Sequence, residues 1–189
     1  MGRRGLLQGA VAAALWSFFT GRGDAAQQGP KDMKGVEELQ KNWRMLLAEG
    51  AKVPSPGEAL KLSKEEWRKR LSAAAYTVLR EEGTERAGTS PLNQEKREGI
   101  FACAGCGLPL FTSAMKFESG TGWPSFFTTI PGVFGNSTDN KLFVTRTEYH
   151  CIRCGGHHGH VFDDGPPPTH QRFCNNGVAL KFIPRTGKA

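Results

Sequence analysis

Four of the five cysteines fall into two pairs of identical spacing, Cys103-x-x-Cys106 and Cys151-x-x-Cys154. A C-x-x-C turn presents two thiolates to one ion, and two such turns complete a tetrahedron with no open coordination position. Glycine follows each pair, at Gly107 and at Gly155-Gly156, and permits the sharp turns. Closing such a site obliges two distant stretches of chain to meet, so the expected role is structural. Two disulfides or a redox-active dithiol are the competing readings of the same spacing.

The fifth cysteine, Cys174, is left over within Arg172-Phe173-Cys174-Asn175-Asn176. A thiol reacts as its thiolate, and a nearby cation lowers its pKa. On a strand, Arg172 and Asn176 share the face of Cys174, so a lowered pKa is expected. His157, His158 and His160 follow the second C-x-x-C turn directly. A metal there would fix those imidazoles, and histidine can supply a proton near neutral pH. His157 and His160 could point into one pocket, with His158 pointing elsewhere. Gly120 to Phe127 is too rich in glycine and aromatics for an ordinary strand, and Trp123 offers either a flat substrate wall or a core side chain.

The 189 residues suit one domain with an N-terminal extension. The charge of +7 is spread along the chain, with no basic, aromatic-laced stripe of the kind nucleic-acid binders carry. Residues 1–29 have the layout of a signal segment: Arg3-Arg4, an apolar run from Leu6 to Phe19, then small residues at Ala25-Ala26. Arg3-Arg4-Gly5-Leu6-Leu7 resembles a twin-arginine signal, which implies export to a periplasm; an organelle transit peptide and an uncleaved anchor are the alternatives. Residues 30–60 read as a linker with one short helix, from Val36, Leu39, Trp43 and Leu46-Leu47 at helical spacing. Ser63 to Glu66 form a capping box opening a helix that runs to about Glu82, with Trp67, Leu71, Tyr76 and Leu79 on the core face. Strands are expected over Leu142–Tyr149 and Val178–Ile183. The fold class is α+β and mainly β, with a catalytic domain over 61–186.

Taken together, Cys103-x-x-Cys106, Ser119-Gly-Thr-Gly-Trp-Pro-Ser-Phe126, Cys154-Gly-Gly-His-His-Gly-His-Val-Phe162, Asp164-Gly-Pro-Pro-Pro-Thr169 and Arg172-Phe-Cys-Asn-Asn176 resemble the B-type peptide-methionine (R)-S-oxide reductases over about residues 60–184. The resemblance implies two antiparallel sheets with N-terminal helices and one structural zinc held by Cys103, Cys106, Cys151 and Cys154. It implies Cys174 as the nucleophile, His157 or His160 as proton donor, and Arg172 and Asn176 ordering the polar side. Trp123, with Phe126, Phe162 and Thr169, would bind the substrate, methionine (R)-sulfoxide in oxidised proteins. Three departures stand out. Thr121 occupies the place where many relatives carry a resolving cysteine, so an external reductant such as thioredoxin or a related thiol donor is expected. His158 stands where leucine is usual. Asn175 and Gly177 vary around the nucleophile. A monomer that binds no nucleic acid is expected. A zinc-ribbon nucleic-acid module and a C-x-x-C thiol oxidoreductase are the alternative classes.

Overall fold

The computed structural model describes residues 29–140 and 144–185. All but the last residue of the expected leader lies outside them. Among the described residues no helix is long and apolar enough to cross a membrane.

Among the described residues three α-helices precede the sheets: α1 (Met33–Asn42), α2 (Lys64–Arg70) and α3 (Ala73–Glu81). Ser63 and Glu66 cap α2 reciprocally, as their spacing requires: Glu66 N donates to Ser63 Oγ and Ser63 N to Glu66 Oε2. The expected single helix to Glu82 is instead two. Leu71 turns extended, at φ −108° and ψ 150°, and Ser72 caps a new helix by accepting from Ala75 N. Ser72 competes for the backbone as serine does at helix starts. Trp67, Tyr76 and Leu79 are buried as expected. Residues 30–60 lie packed on the domain: Val36 is fully buried, Leu39, Trp43 and Leu60 rest against the core, and Gln40 donates to Thr128 Oγ1.

Nine strands follow among the described residues: β1 (Gly99–Cys103), β2 (Pro109–Thr112), β3 (Lys116–Phe117), β4 (Ser125–Phe126), β5 (Phe134–Asp139), β6 (Arg146–Cys151), β7 (His157–Phe162), β8 (Arg172–Asn175) and β9 (Leu180–Pro184). They form two antiparallel sheets, β2-β1-β9 and β3-β4-β8-β7-β6-β5. Every residue of β1 is buried, because it is the central strand of its sheet and lies between layers. Of the strand expected over Leu142–Tyr149, Leu142 and Phe143 lie outside the described residues and the strand begins at Arg146; that expected from Val178 begins at Leu180 after a 3-10 turn, Gly177–Ala179.

The core lies between the sheets and is built on aromatic rings. Phe111 stacks on Phe126 with centroids 3.9 Å apart, and Phe101 meets Phe126 edge-on at 5.1 Å. Such pairs add about 0.5–1.5 kcal/mol beyond the area they bury. Tyr149 packs on Phe134 and Phe173, and its hydroxyl donates to Asn175 Oδ1 at 2.9 Å. Asn175 in turn donates to Asn176 O at 2.7 Å. That bonding gives Asn175 the role its position in the sequence did not reveal: it anchors the core side of β8.

His158 points into this core, away from His157 and His160, and is fully buried between Phe134 and Tyr149. Neither of its ring nitrogens has a hydrogen-bond partner. Burial pushes its pKa down to about 3. The folded protein therefore keeps the ring neutral while the unfolded chain, with a histidine near its ordinary value of about 6.5, takes up a proton. Stability is lost as pH falls from about 6.5 towards 3, by up to about 1.4 kcal/mol per unit. His158→Leu removes this liability. The variant is expected to melt above the parent, with a gap that widens between pH 7 and pH 4. A gap independent of pH would show that the ring is not held neutral.

Candidate functional site

The four paired cysteines meet at the junction of the sheets. Cys103 ends β1, Cys151 ends β6, and all four sulfurs lie within 4.8 Å of one another and are buried. The sulfurs of Cys103 and Cys154 are 3.7 Å apart, and those of Cys106 and Cys151 are 3.5 Å apart. A tetrahedral ion with bonds of about 2.3 Å to sulfur needs edges of about 3.8 Å, so the cluster fits one metal ion. Hydrogen bonding among the sulfurs, led by the Cys103–Cys106 contact, pushes the Cys103 thiol well up and pulls Cys106 down. A bound cation would lift that conflict by favouring four thiolates. The turns are tied down from outside as well. Arg70 Nε donates to Gly105 O at 2.6 Å, Arg80 Nη1 to Cys154 O at 2.7 Å, and Arg153 Nη1 to Cys106 O at 3.1 Å.

The knot fixes where β7 begins, and β7 places the histidines beside β8. Register then assembles a row across the six-stranded sheet: Ser125 pairs with Cys174, Cys174 with His160, His160 with Glu148, and Glu148 with Ser137. Directly paired residues share a face, and strands lie about 4.8 Å apart, so these five side chains stand on the face opposite the aromatic core. Gly159 permits the close approach of β7 and β8: a Cβ there would lie 1.9 Å from Cys174 O.

His157 and His160 line one polar cleft of about 370 Å³ together with Asp139, Arg146 and Glu148. His157 Nδ1 lies 2.8 Å from Glu148 Oε1, and His160 Nε2 lies 2.7 Å from Asp139 Oδ2. Arg146 Nη2 also donates to Asp139, at 2.6 Å. Against the desolvation that would raise it, hydrogen bonds from Ser137 and His157 hold the Glu148 carboxyl below the usual range. Burial lowers the pKa of His160, with Arg146 adding to the effect and Asp139 opposing it. His157 Nε2 is buried without a hydrogen-bond partner.

Cys174 is half-buried, and its pKa shifts in the direction opposite to the expected one. Burial pushes the thiol above its ordinary pKa; the Arg172 charge and the Thr121 hydroxyl pull it down without reversing the shift, and Asp164 adds to the rise. Part of that rise comes from a pairing not read from the sequence. Arg172 Nε and Nη2 donate to the two oxygens of Asp164, at 2.7 and 2.9 Å. The carboxylate thereby opposes the pull of the guanidinium on the sulfur. Around the thiol, Ser119 Oγ lies 2.8 Å from both Thr121 Oγ1 and Ser125 Oγ.

One expected role changes, and three further residues make contacts not read from the sequence. Phe126 is fully buried in the core and cannot touch substrate. Phe162 lies under the Arg172 guanidinium, 4.3 Å from ring centroid to Cζ, and so steadies the arginine. Thr169 Oγ1 donates to Phe127 O at 2.7 Å and accepts from Gln171 N, which fixes the loop ahead of β8. Asn176 lies beyond the end of β8, so alternation no longer applies to it. Its amide donates to His158 O and its oxygen accepts from Glu85 N. Trp123 is half-buried, with its indole N–H donating to Glu85 O at 3.1 Å. The carboxylates Asp139, Glu148, Asp164 and Glu85 were missed. Asp164 lies inside the Asp164–Thr169 motif, but the others carry no local pattern, because their partners lie on other segments of the chain.

A SelR domain model matches residues 71–184. The chain is 48% identical over 126 residues to a protein of Methanosarcina barkeri named peptide methionine sulfoxide reductase MsrB, spanning 66% of this chain and 89% of that one. It is 50% identical over 129 residues to the protein of the same name from Methanosarcina mazei, covering 67% and 92%. With the chloroplastic peptide methionine sulfoxide reductase B2 of Arabidopsis thaliana it shares 43% over 141 residues, covering 74% and 67%.

The Asp164–Arg172 pair makes a testable statement about the thiol. Replacing Asp164 by Asn removes a carboxylate that raises the Cys174 pKa and releases the arginine charge. The thiolate fraction at pH 7 then increases, and alkylation of Cys174 by iodoacetamide is expected to accelerate several-fold. An unchanged or slower rate would mean that Asp164 does not restrain the arginine.

Proposed function

We infer that this chain, which belongs to the SelR-domain family of B-type peptide methionine sulfoxide reductases, is an oxidoreductase that reduces methionine sulfoxide in proteins to methionine, with Cys174 as nucleophile. The observation that carries this reading is the register of β8 with β7, which stands Cys174 beside His160 on the open face and next to the cleft that His157 lines.

In the proposed cycle the Cys174 sulfur attacks the sulfoxide sulfur while a proton passes to the sulfoxide oxygen. That attack forms an S–S bond; the oxygen then passes from the methionine sulfur to the Cys174 sulfur as the S–S and original S–O bonds break, so methionine leaves and Cys174 carries a sulfenic acid. His157 suits the donor role. Its Nδ1 is held by Glu148, so the unpartnered Nε2 is the atom free to deliver a proton. Trp123 is the proposed wall for the S-methyl group, and Arg172 the group that balances charge developing at the sulfur. The R preference rests on family membership.

Completing the cycle needs an outside reductant. Thr121 stands where a resolving cysteine would be, and the remaining four cysteines form the buried cluster. A thiol donor such as thioredoxin would condense with the sulfenic acid, releasing water and leaving a mixed disulfide, and a second thiol would then restore Cys174. The ion in the cluster is proposed to be zinc, in a closed site with a structural role. Export through the N-terminal leader is also proposed; the apolar run after Arg3-Arg4 supports it.

Three measurements check this. With dithiothreitol as reductant and a peptide carrying methionine (R)-sulfoxide, Cys174→Ser is expected to lose activity at least 10³-fold, on the order of other nucleophile removals; parity with the parent would refute the nucleophile. In the parent, substrate without reductant should yield one sulfenic acid trapped by dimedone at Cys174, and an internal disulfide there instead would refute the need for an external thiol. Zinc removal by a strong chelator should unfold the domain, seen as loss of the cooperative melt. A chelated protein that keeps its melting transition would refute the structural role.

A further inference from the structure

Glu85 lies in the connection between α3 and β1, and nothing above assigns it a role. Four hydrogen bonds converge on it. Its amide donates to Asn176 Oδ1 at 2.9 Å, and its carbonyl accepts from Trp123 Nε1 at 3.1 Å. Its carboxylate accepts from Val178 N at 3.1 Å and from Gly177 N. These partners are the proposed substrate wall and the backbone that leaves the nucleophile's strand. All are far away in sequence, so no local structure would hold them together.

The surroundings reinforce the point of attachment. Gly177 can approach only as glycine, since a Cβ there would lie 1.8 Å from Ser90 Oγ. The same connection grips the Trp123 loop a second time: Gly88 N donates to Gly122 O at 2.7 Å, and Asn93 Nδ2 donates to that oxygen at 2.8 Å. Two of the four bonds go to the carboxylate, one to each oxygen, so the side chain holds two successive backbone N–H groups at once.

We propose that Glu85 is a positioning residue for sulfoxide reduction, fixing Trp123 and the exit of β8 from one point so that wall and nucleophile keep their spacing. This rests on the roles given to Cys174 and Trp123. Glu85 acts through its neighbours and touches no reacting atom. In Glu85→Gln one oxygen becomes an N–H₂ facing a backbone N–H, so one carboxylate bond is lost while size is kept.

The test uses the zinc-loaded full chain with dithiothreitol and a methionine (R)-sulfoxide peptide. Glu85→Gln is expected to lower kcat/KM about tenfold or more, while iodoacetamide alkylation of Cys174 stays within about twofold of the parent. In a Trp123→Phe background the same change should cost no more than about threefold, because the wall it positions is gone. Three results overturn the proposal: full activity in Glu85→Gln, equal losses in both backgrounds, or a parallel fall in alkylation and turnover, which marks a purely structural role. Should Glu85→Gln fail to fold, Glu85→Asp, which keeps the charge on a shorter stem, is measured against the same outcomes. Cys174→Ser and Trp123→Phe run alongside, so an error in their roles appears separately from an error about Glu85.

Discussion

The four-sulfur knot is the constraint on which the rest of the molecule depends. It joins the end of the central strand of one sheet to the end of a strand in the other. The aromatic core between the layers could not by itself say how far one sheet slides over the other, since dispersion and burial are not directional. Four sulfurs with edges of 3.5 and 3.7 Å across the two turns do say it. Helices α2 and α3 add to the restraint, because Arg70 and Arg80 bond carbonyls of the two turns. The helices thus bury Trp67 and Leu79 and also hold the metal-binding turns in place.

From that origin the reactive face follows through strand pairing. The knot ends where β7 starts, β7 fixes β8, and the row from Ser125 through Cys174 and His160 to Glu148 and Ser137 is the result. Electrostatics then divides the row. On one side, carboxylates hold the far sides of two imidazoles. On the other, Asp164 holds Arg172, and burial pushes the Cys174 thiol above its ordinary pKa against the pull of the arginine.

What could be read from the chain was whatever sits within a few residues of itself. The C-x-x-C turns, the capping box at Ser63 and the inward aromatics of the helices all declare themselves locally. The helix break at Leu71 did not, because Ser72 is as ordinary within a helix as at its start. Arg172 two residues from Cys174 was visible, but its counter-charge was not read as such, and the direction of the thiol's shift came out reversed. Asn176 was placed by strand alternation, which fails one residue after the strand ends. Glu85, Asp139 and Glu148 acquire meaning only when strands distant in sequence lie side by side. The substrate-side reading of Phe126 failed for a related reason: a shared motif names a position without saying which face of the strand it takes.

The row across the sheet has a further consequence for the fate of misassembled molecules. Side chains on a strand alternate faces, so a slip of β8 by a single residue relative to its neighbours would send Cys174 into the aromatic interior and bring Phe173 or Asn175 to the surface. A slip of two residues would return the sulfur to the open face but out of line with its neighbours. Only the native pairing sets Cys174 opposite both Ser125 and His160.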